Sequence, residues 1–323
     1  MRRAGALCLV ATGAFLFTVP RIAWTEAPPQ FLGMWGTTGS GPGQLSSPSG
    51  IAVDAAGLVY VTDQNNSRVC KFTSTGQFIL AWGSVGSGPG QFHSPTELTI
   101  DNAGQILVVD YGNNRVQVFT PDGQFLSQFG TSGAGQLLLP RDVAVGPVFT
   151  YVADWGHNRI AYYYNGNYQG AFGQNQLYLP TGIASDPSGF VCVSDEGYND
   201  LAIFSPTGDF IRRWGAVGQQ PGQLAGPGGL DTDRDGNIFV ADHGNSRVQK
   251  FTPGGTLLSY LGNTWDIAWP VQRHLGRSGR ARRNDLRQRR GERSSAEVWI
   301  RHHIRHGQEL GRHEGSLPES CQR

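Results

Sequence analysis

Two stretches, "VVDYGNNRVQVF" (Val108–Phe119) and "VADHGNSRVQKF" (Val240–Phe251), lie far apart and share a pattern. Each is an alternating apolar run ending in Asp, a short Gly/Asn turn, then Arg and a second alternating run. A period of two residues is the signature of half-buried β-strands, and the Gly/Asn segment between them reads as a turn. The pattern recurs as "VTDQNNSRVCKF" (61–72), "VADWGHNRIAYY" (152–163) and "VSDEGYNDLAIF" (193–204). Five copies make the internal repeat the first fact to explain.

Working outward, each copy follows a strand opened by Pro, as in "SPSGIAVDAAGLVY", and precedes a turn and a strand ending in aromatic-Gly, as in "TPDGQFLSQFG". In the first copy the four expected strands are a (Gly50–Asp54), b (Leu58–Asp63), c (Arg68–Thr73) and d (Phe78–Gly83). The turns "DAAG", "DNAG", "DPSG" and "DRDG" join a to b; "TSTG" and "TPDG" join c to d. Pro presets the turn dihedral and Gly accepts positive φ, so both are hairpins. The marker aromatics Trp35, Trp82, Phe129, Phe172 and Trp214 are spaced 47, 47, 43 and 42 residues apart. Four antiparallel strands per such period make one propeller blade. Asp63, Asp110, Asp154 and Asp242 face Arg68, Arg115, Arg159 and Arg247 across the b–c hairpin, where carboxylate and guanidinium can pair. In the fourth copy Asp195 faces Asp200 instead, which predicts the loosest hairpin there.

Taken together, "Pro-x-Gly-Ile-Ala-Val-Asp", "Val-x-Asp-x-x-Asn-x-Arg-Val" and the strand-d ending resemble NHL repeats over about 31–262. The resemblance implies an all-β, six-bladed NHL-type β-propeller, with five recognisable blades here, and ligands on one face or in the axial channel. It implies no single activity, since such repeats occur in RNA-binding proteins, amidating lyases, lactonases and extracytoplasmic sensors.

Three segments are expected: 1–27, 31–268 and 269–323. The first has a basic start and an uncharged run, Ala4 to Val19, short for a membrane span. It predicts export, with the protein secreted, periplasmic or at the cell surface, and a membrane contact only if the segment stays as an anchor. Cys70 and Cys192, more than a hundred residues apart in strands, read as small hydrophobes. Net charge divides sharply: residues 271–323 hold thirteen arginines, no lysine and a net +7, against −6 before them. "FLGMWG" (31–36) reads as a strand d without its own a, b and c, so a sixth blade should draw those strands from 265–310. The tail lacks the pattern and reads as disordered. Yet one permitted codon choice for Gln272–Arg283, read one nucleotide on, gives Ser-Gly-Ile-Trp-Val-Asp-Arg-Ala-Gly-His-Val-Val. In the same frame His306–Gly315 gives Thr-Gly-Lys-Ser-Trp-Gly-Gly-Thr-Lys. Both fit the repeat in the right order, so the tail reads as an out-of-frame sixth blade rather than a phosphate-binding arm.

Two sets of residues vary against the constant frame. After the strand-b Asp come Gln64, Tyr111, Trp155, Glu196 and His243, and two positions on Asn66, Asn113, His157, Tyr198 and Asn245. Tyr111, Asn113, Trp155, His157, Tyr198 and His243 are the expected ligand-binding face, with Tyr111 and Trp155 exposed. The second set follows the opening Pro: Gly50, Glu97, Asp142, Gly182 and Gly229. Glu97 and Asp142 place two carboxylates near the channel, a start for a Ca²⁺ site that a solvated pair would equally explain. "DTDRDG" (231–236) mimics a calcium loop, but the repeat register makes it an a–b hairpin. Of the histidines, His93, His157 and His243 occupy different structural positions and five more lie in the tail, so no zinc triad is expected. The functional expectation is a binding or scaffold module for a protein or small-molecule ligand. A metal-dependent lyase or lactonase is the alternative, nucleic-acid binding a weaker one.

Restoring the reading frame after about residue 262 should raise both solubility and melting temperature, because an incomplete ring leaves apolar blade faces open. Size exclusion and thermal unfolding of the two versions check this; equal stability would mark the arginine tail as genuine sequence.

Overall fold

The computed structural model describes residues 34–262. The expected leader or anchor (1–27) and the arginine-rich segment (269–323) lie outside the described residues, as does the first half of "FLGMWG". Each of the five copies forms one four-stranded antiparallel sheet in the order a-b-c-d. Blade 1 comprises Pro48–Val53, Val59–Asp63, Arg68–Phe72 and Phe78–Trp82. Blade 2 comprises Pro95–Ile100, Ile106–Asp110, Arg115–Phe119 and Phe125–Phe129. Blade 3 has a shortened inner strand, Val143–Val145, then Thr150–Asp154, Arg159–Tyr164 and Asn167–Phe172. Blade 4 holds Pro180–Ser185, Val191–Asp195, Asp200–Phe204 and Phe210–Trp214; blade 5 holds Pro227–Thr232, Ile238–Asp242, Arg247–Phe251 and Leu257–Leu261. Strand a lies against strand a of the next blade from blade 1 through blade 5.

The core follows the period-two pattern, because alternate side chains of one strand enter different inter-blade layers. Tyr60 packs with Leu98, Ile106 and Phe119 of blade 2, while its neighbours Val59 and Val61 face the other way, toward Cys70, Phe72 and Trp35. Similar layers join blades 2 to 3, 3 to 4 and 4 to 5. Cys70 and Cys192 are free, buried members of these layers. The marker aromatics seal the seams. Trp82 lies over the c–d turn glycine of blade 2, Gly123, where a Cβ would come within 2.7 Å of the indole and φ is +82°. Only glycine satisfies both demands. Trp35 takes the same place over Gly76 although residues 34–36 form no strand. The neighbouring Thr37–Thr38 instead pairs in parallel with Gln44–Leu45.

The Asp–Arg pairs form as expected, and they do more than close the hairpin. Asp110 has no exposed surface; its Oδ2 accepts Arg115 Nε at 2.7 Å and Asn113 Nδ2 at 2.9 Å, and its Oδ1 accepts the His93 amide at 2.8 Å. Arg115 then donates to the carbonyls of Ser87, Gly88 and Gln91, in the loop arriving from blade 1. Blade 5 repeats this with Asp242, Arg247 and the carbonyls of Gln219, Gln220 and Gln223. Blades 1 and 3 do so through Asp63–Arg68 and Asp154–Arg159. The "GSGPGQ" loops thus earn their glycines: their carbonyls must turn toward one guanidinium. Each clasp ties strand b, strand c and the incoming loop together.

Removing one partner strands the other charge inside the protein. Asp110→Ala should cost about 3–5 kcal/mol of unfolding free energy, whereas Asp122→Ala should cost less, about 1 kcal/mol, because the Asp122 carboxylate is exposed and the buried Lys71 ammonium keeps its bond to the Pro121 carbonyl. Urea unfolding of the two variants measures the difference; similar losses would refute the clasp's role.

Candidate ligand-binding face

The clasp sets the b–c turn conformation, and the turn in turn aims the variable residues. In blades 1, 2, 3 and 5 the clasp Asp has φ between −104° and −85°, followed by one 3₁₀ turn and a left-handed residue: Ser67, Asn114, Asn158 or Ser246. The backbone is nearly superposable, while the first turn residue is Gln64, Tyr111, Trp155 or His243. In blade 4 the segment 196–199 is a turn without the 3₁₀ helix, though it keeps a left-handed residue, Asn199.

The expected face resolves into parts. Tyr111 and Trp155 are half-buried rather than exposed, because both stack on Arg141: its guanidinium carbon is 4.9 Å from the Tyr111 ring centre and 5.1 Å from that of Trp155. Asn113 belongs to the clasp, donating to both Asp110 and the Gly86 carbonyl. His157 fills that role in blade 3, with Nδ1 2.9 Å from Asp154, though its outer edge stays exposed. The His243 ring lies over Gly228, where any Cβ would collide with it. Tyr198 is 50% exposed, 6.0 Å from the Tyr178 ring and 4.8 Å beneath the Arg213 guanidinium. Tyr198 and Arg213, with Asn175, Gln176 and Phe210, line a groove of about 340 Å³.

Glu97 and Asp142 do not converge. Asp142 is fully buried; its carboxylate accepts the amides of Val143 at 2.7 Å and of Ile183, in blade 4, at 3.0 Å. Glu97 leans the opposite way, onto blade 1, where a Cβ on Gly50 would lie 2.8 Å from its Oε2. The reason lies in strand b. Thr62 and Ser194 bridge the inner strands of adjacent blades through their hydroxyls, and their blades carry Gly50 and Gly182. At the matching positions blades 2, 3 and 5 have Val109, Ala153 and Ala241, and in blade 3 the Asp142 carboxylate makes the bond to the next blade instead. Among the described residues no three His, Cys, Asp or Glu side chains cluster as metal ligands. The calcium expectation therefore finds one acid committed to backbone amides and the other turned away. "DTDRDG" is a hairpin, as its register demands, with Asp233 Oδ1 accepting the amides of Asp235 and Asn237.

Three features were missed in the sequence. Arg141 follows an opening Pro where the other blades have Ser49, Thr96, Thr181 and Gly228; the outlier was legible, one position before the one considered. Arg213, from strand d, replaces the clasp arginine of blade 4: its Nε is 3.3 Å from Asp200, and it donates to the Gln176 carbonyl of the incoming loop. A cavity of about 470 Å³ opens at the a–b end of the channel, beside Ser185, Asp186, Thr232, Asp233 and Arg234, opposite the face formed by the b–c turns.

A family model described as a 6-bladed beta-propeller matches residues 44–128, and a model of the NHL repeat matches residues 224–251. Similar solved structures include a streptogramin B lyase, 16% identical with a TM-score of 0.54, covering 70% of each chain. A nidogen/laminin complex matches at 20% identity and TM-score 0.55, over 68% of this chain and 81% of that one. A gluconolactonase from Xanthomonas campestris matches at 18% identity and TM-score 0.55, over 67% and 76%. These likenesses show the fold. No curated protein matches.

Blade 4 yields a pH prediction. Burial, opposed by Arg213 and reinforced by Asp195, pushes the Asp200 carboxyl up to about 6; burial raises Asp195 as well. A carboxyl with a raised native pKa holds its proton more tightly when folded. Its stabilising contribution is complete below about pH 4 and is lost as pH rises through about 6. Asp200→Asn should therefore add on the order of 1–2 kcal/mol at pH 7 and flatten the profile between pH 4 and 6. Urea titrations across that range check it; an Asn variant no more stable at pH 7 would contradict it.

Proposed function

The chain is an NHL-repeat β-propeller, and from that premise we propose that it acts as a binding or scaffold module. It takes a protein or small-molecule ligand on the face formed by the b–c turns. One observation carries this reading: a constant, clasp-fixed turn backbone presents a different side chain in each of blades 1, 2, 3 and 5. Rigid loops with diverse aromatic and polar tips are what recognition requires, since little ordering entropy is lost on binding. The exposed Tyr178 and Tyr198, with the half-buried Arg213, add the residue types that dominate interface energetics. The setting we propose is outside the cytoplasm, on the basic start and apolar run at residues 1–19.

A second reading, a lyase or lactonase working in the axial channel, draws on the cavity at the a–b end. Its acids Asp186 and Asp233 each hold two turn amides, which suits hairpin closure better than proton transfer.

The proposal is tested by probing an immobilised array of peptides and small molecules with the full chain. Variants Trp155→Ala and Tyr198→Ala are compared with Asn102→Ala, which lies at the opposite end of the blades. Retained ligands should weaken at least five-fold with the first two and be unaffected by the third. Retention unaffected by all three, or lost only with Asn102→Ala, would move the site off this face.

A further inference from the structure

We propose that Arg141, held against Tyr111 and Trp155 at the channel mouth, anchors the carboxylate of a small, singly charged ligand. The inference deepens the reading of this face as ligand-binding and rests on it. Arg141 stands where the other blades carry Ser49, Thr96, Thr181 or Gly228. Its backbone is fixed from both sides: its amide donates to the Ala153 carbonyl at 2.9 Å, and its carbonyl accepts the Thr96 hydroxyl at 3.0 Å. Its side chain is positioned by two rings from different blades. Stacking engages the π surface of a guanidinium and leaves its in-plane N–H donors available.

Those donors are not used by the protein. Among the described residues the Arg141 side chain makes no hydrogen bond or ion pair, and its Nε is buried without a partner. The clasp arginines are the contrast. Arg68, Arg115 and Arg247 each spend their donors on an aspartate and three loop carbonyls. The buried indole N–H of Trp155 is likewise unpartnered, though that alone is no signal, since Trp82 and Trp214 share it at blade seams. An ordered, idle guanidinium beside an idle indole N–H is a set of donors waiting for an anion, because buried donors left unpaired are costly.

Charge selects the anion. Arg141 is followed directly by Asp142, Glu97 lies on the adjoining inner strand, and Glu196 opens the b–c turn of the next blade. Among the described residues these acids surround the mouth with negative charge, which opposes a doubly charged ligand more strongly than a singly charged one. A planar carboxylate also matches the guanidinium fork, with two parallel N–H···O bonds.

The test is isothermal titration calorimetry on the full chain with acetate, benzoate and N-acetylglycine, each against its primary amide, and with inorganic phosphate. Arg141→Thr adopts the residue that blades 2 and 4 carry at this position and should keep the wild-type melting temperature. At least one carboxylate should bind, at least ten-fold more tightly than its amide and than phosphate, and Arg141→Thr should lose at least ten-fold. No carboxylate binding, phosphate binding as tightly, or full affinity in Arg141→Thr would overturn the inference. Acid and amide binding equally, both weakened by Trp155→Ala, would overturn the carboxylate assignment and leave the face standing. Binding indifferent to both Arg141→Thr and Trp155→Ala would overturn the two together.

Discussion

The Asp–Arg clasp is the interaction on which the rest of this propeller depends. A fully buried carboxylate is costly unless every lone pair finds a donor, and a buried guanidinium is costly unless its fork is filled. Each clasp meets both demands with material from three segments: the end of strand b, the start of strand c and the loop from the preceding blade. Its charge therefore fixes where blades join, and not only how a hairpin closes. Glycine-rich loops follow from it, since their carbonyls must converge on one side chain. So does the constant b–c turn, whose conformation is set by groups that cannot move without unpairing a charge.

Once the turn is fixed, the residues it displays are free to vary. That separation explains why Tyr111, Trp155 and His243 occupy equivalent backbone positions without sharing chemistry. Blade 4 shows what happens when the clasp changes. With Asp200 in place of arginine, the cation comes from Arg213 on strand d, the 3₁₀ turn is absent, and Tyr198 is exposed beside Tyr178. Loss of the regular clasp and gain of an exposed aromatic group occur in the same blade.

Most of the architecture was legible because it is local and repeated. Alternation gave the strands, Pro and Gly gave the turns, and the five-residue Asp–Arg spacing gave the pairing. What stayed hidden depends on contacts between blades. Glu97 and Asp142 looked like a metal pair because they replace Gly50 and Gly182, but the other half of that exchange is Val109 and Ala153 in place of Thr62 and Ser194. Reading strands a and b together would have shown that exchange in blade 3, where Asp142 bonds the Ile183 amide in place of a strand-b hydroxyl. Asn113 and His157 looked like free tips because their bonds to Asp110 and Asp154 depend on a 3₁₀ turn that the sequence only hints at. Arg141 was hidden differently: its significance comes from two rings placed by other strands.

Clasp-held turns are rigid before any ligand arrives, and amide hydrogen exchange on the full chain tests this most directly. The amides of Gly112, Gly156 and Gly244 donate to the carbonyls of His93, Leu138 and Ala225 in the incoming loops. If the clasps lock these turns, the three amides exchange about as slowly as those of strand b, through near-global unfolding. Fast exchange at these glycines, with strand b still protected, would show mobile tips and contradict the account.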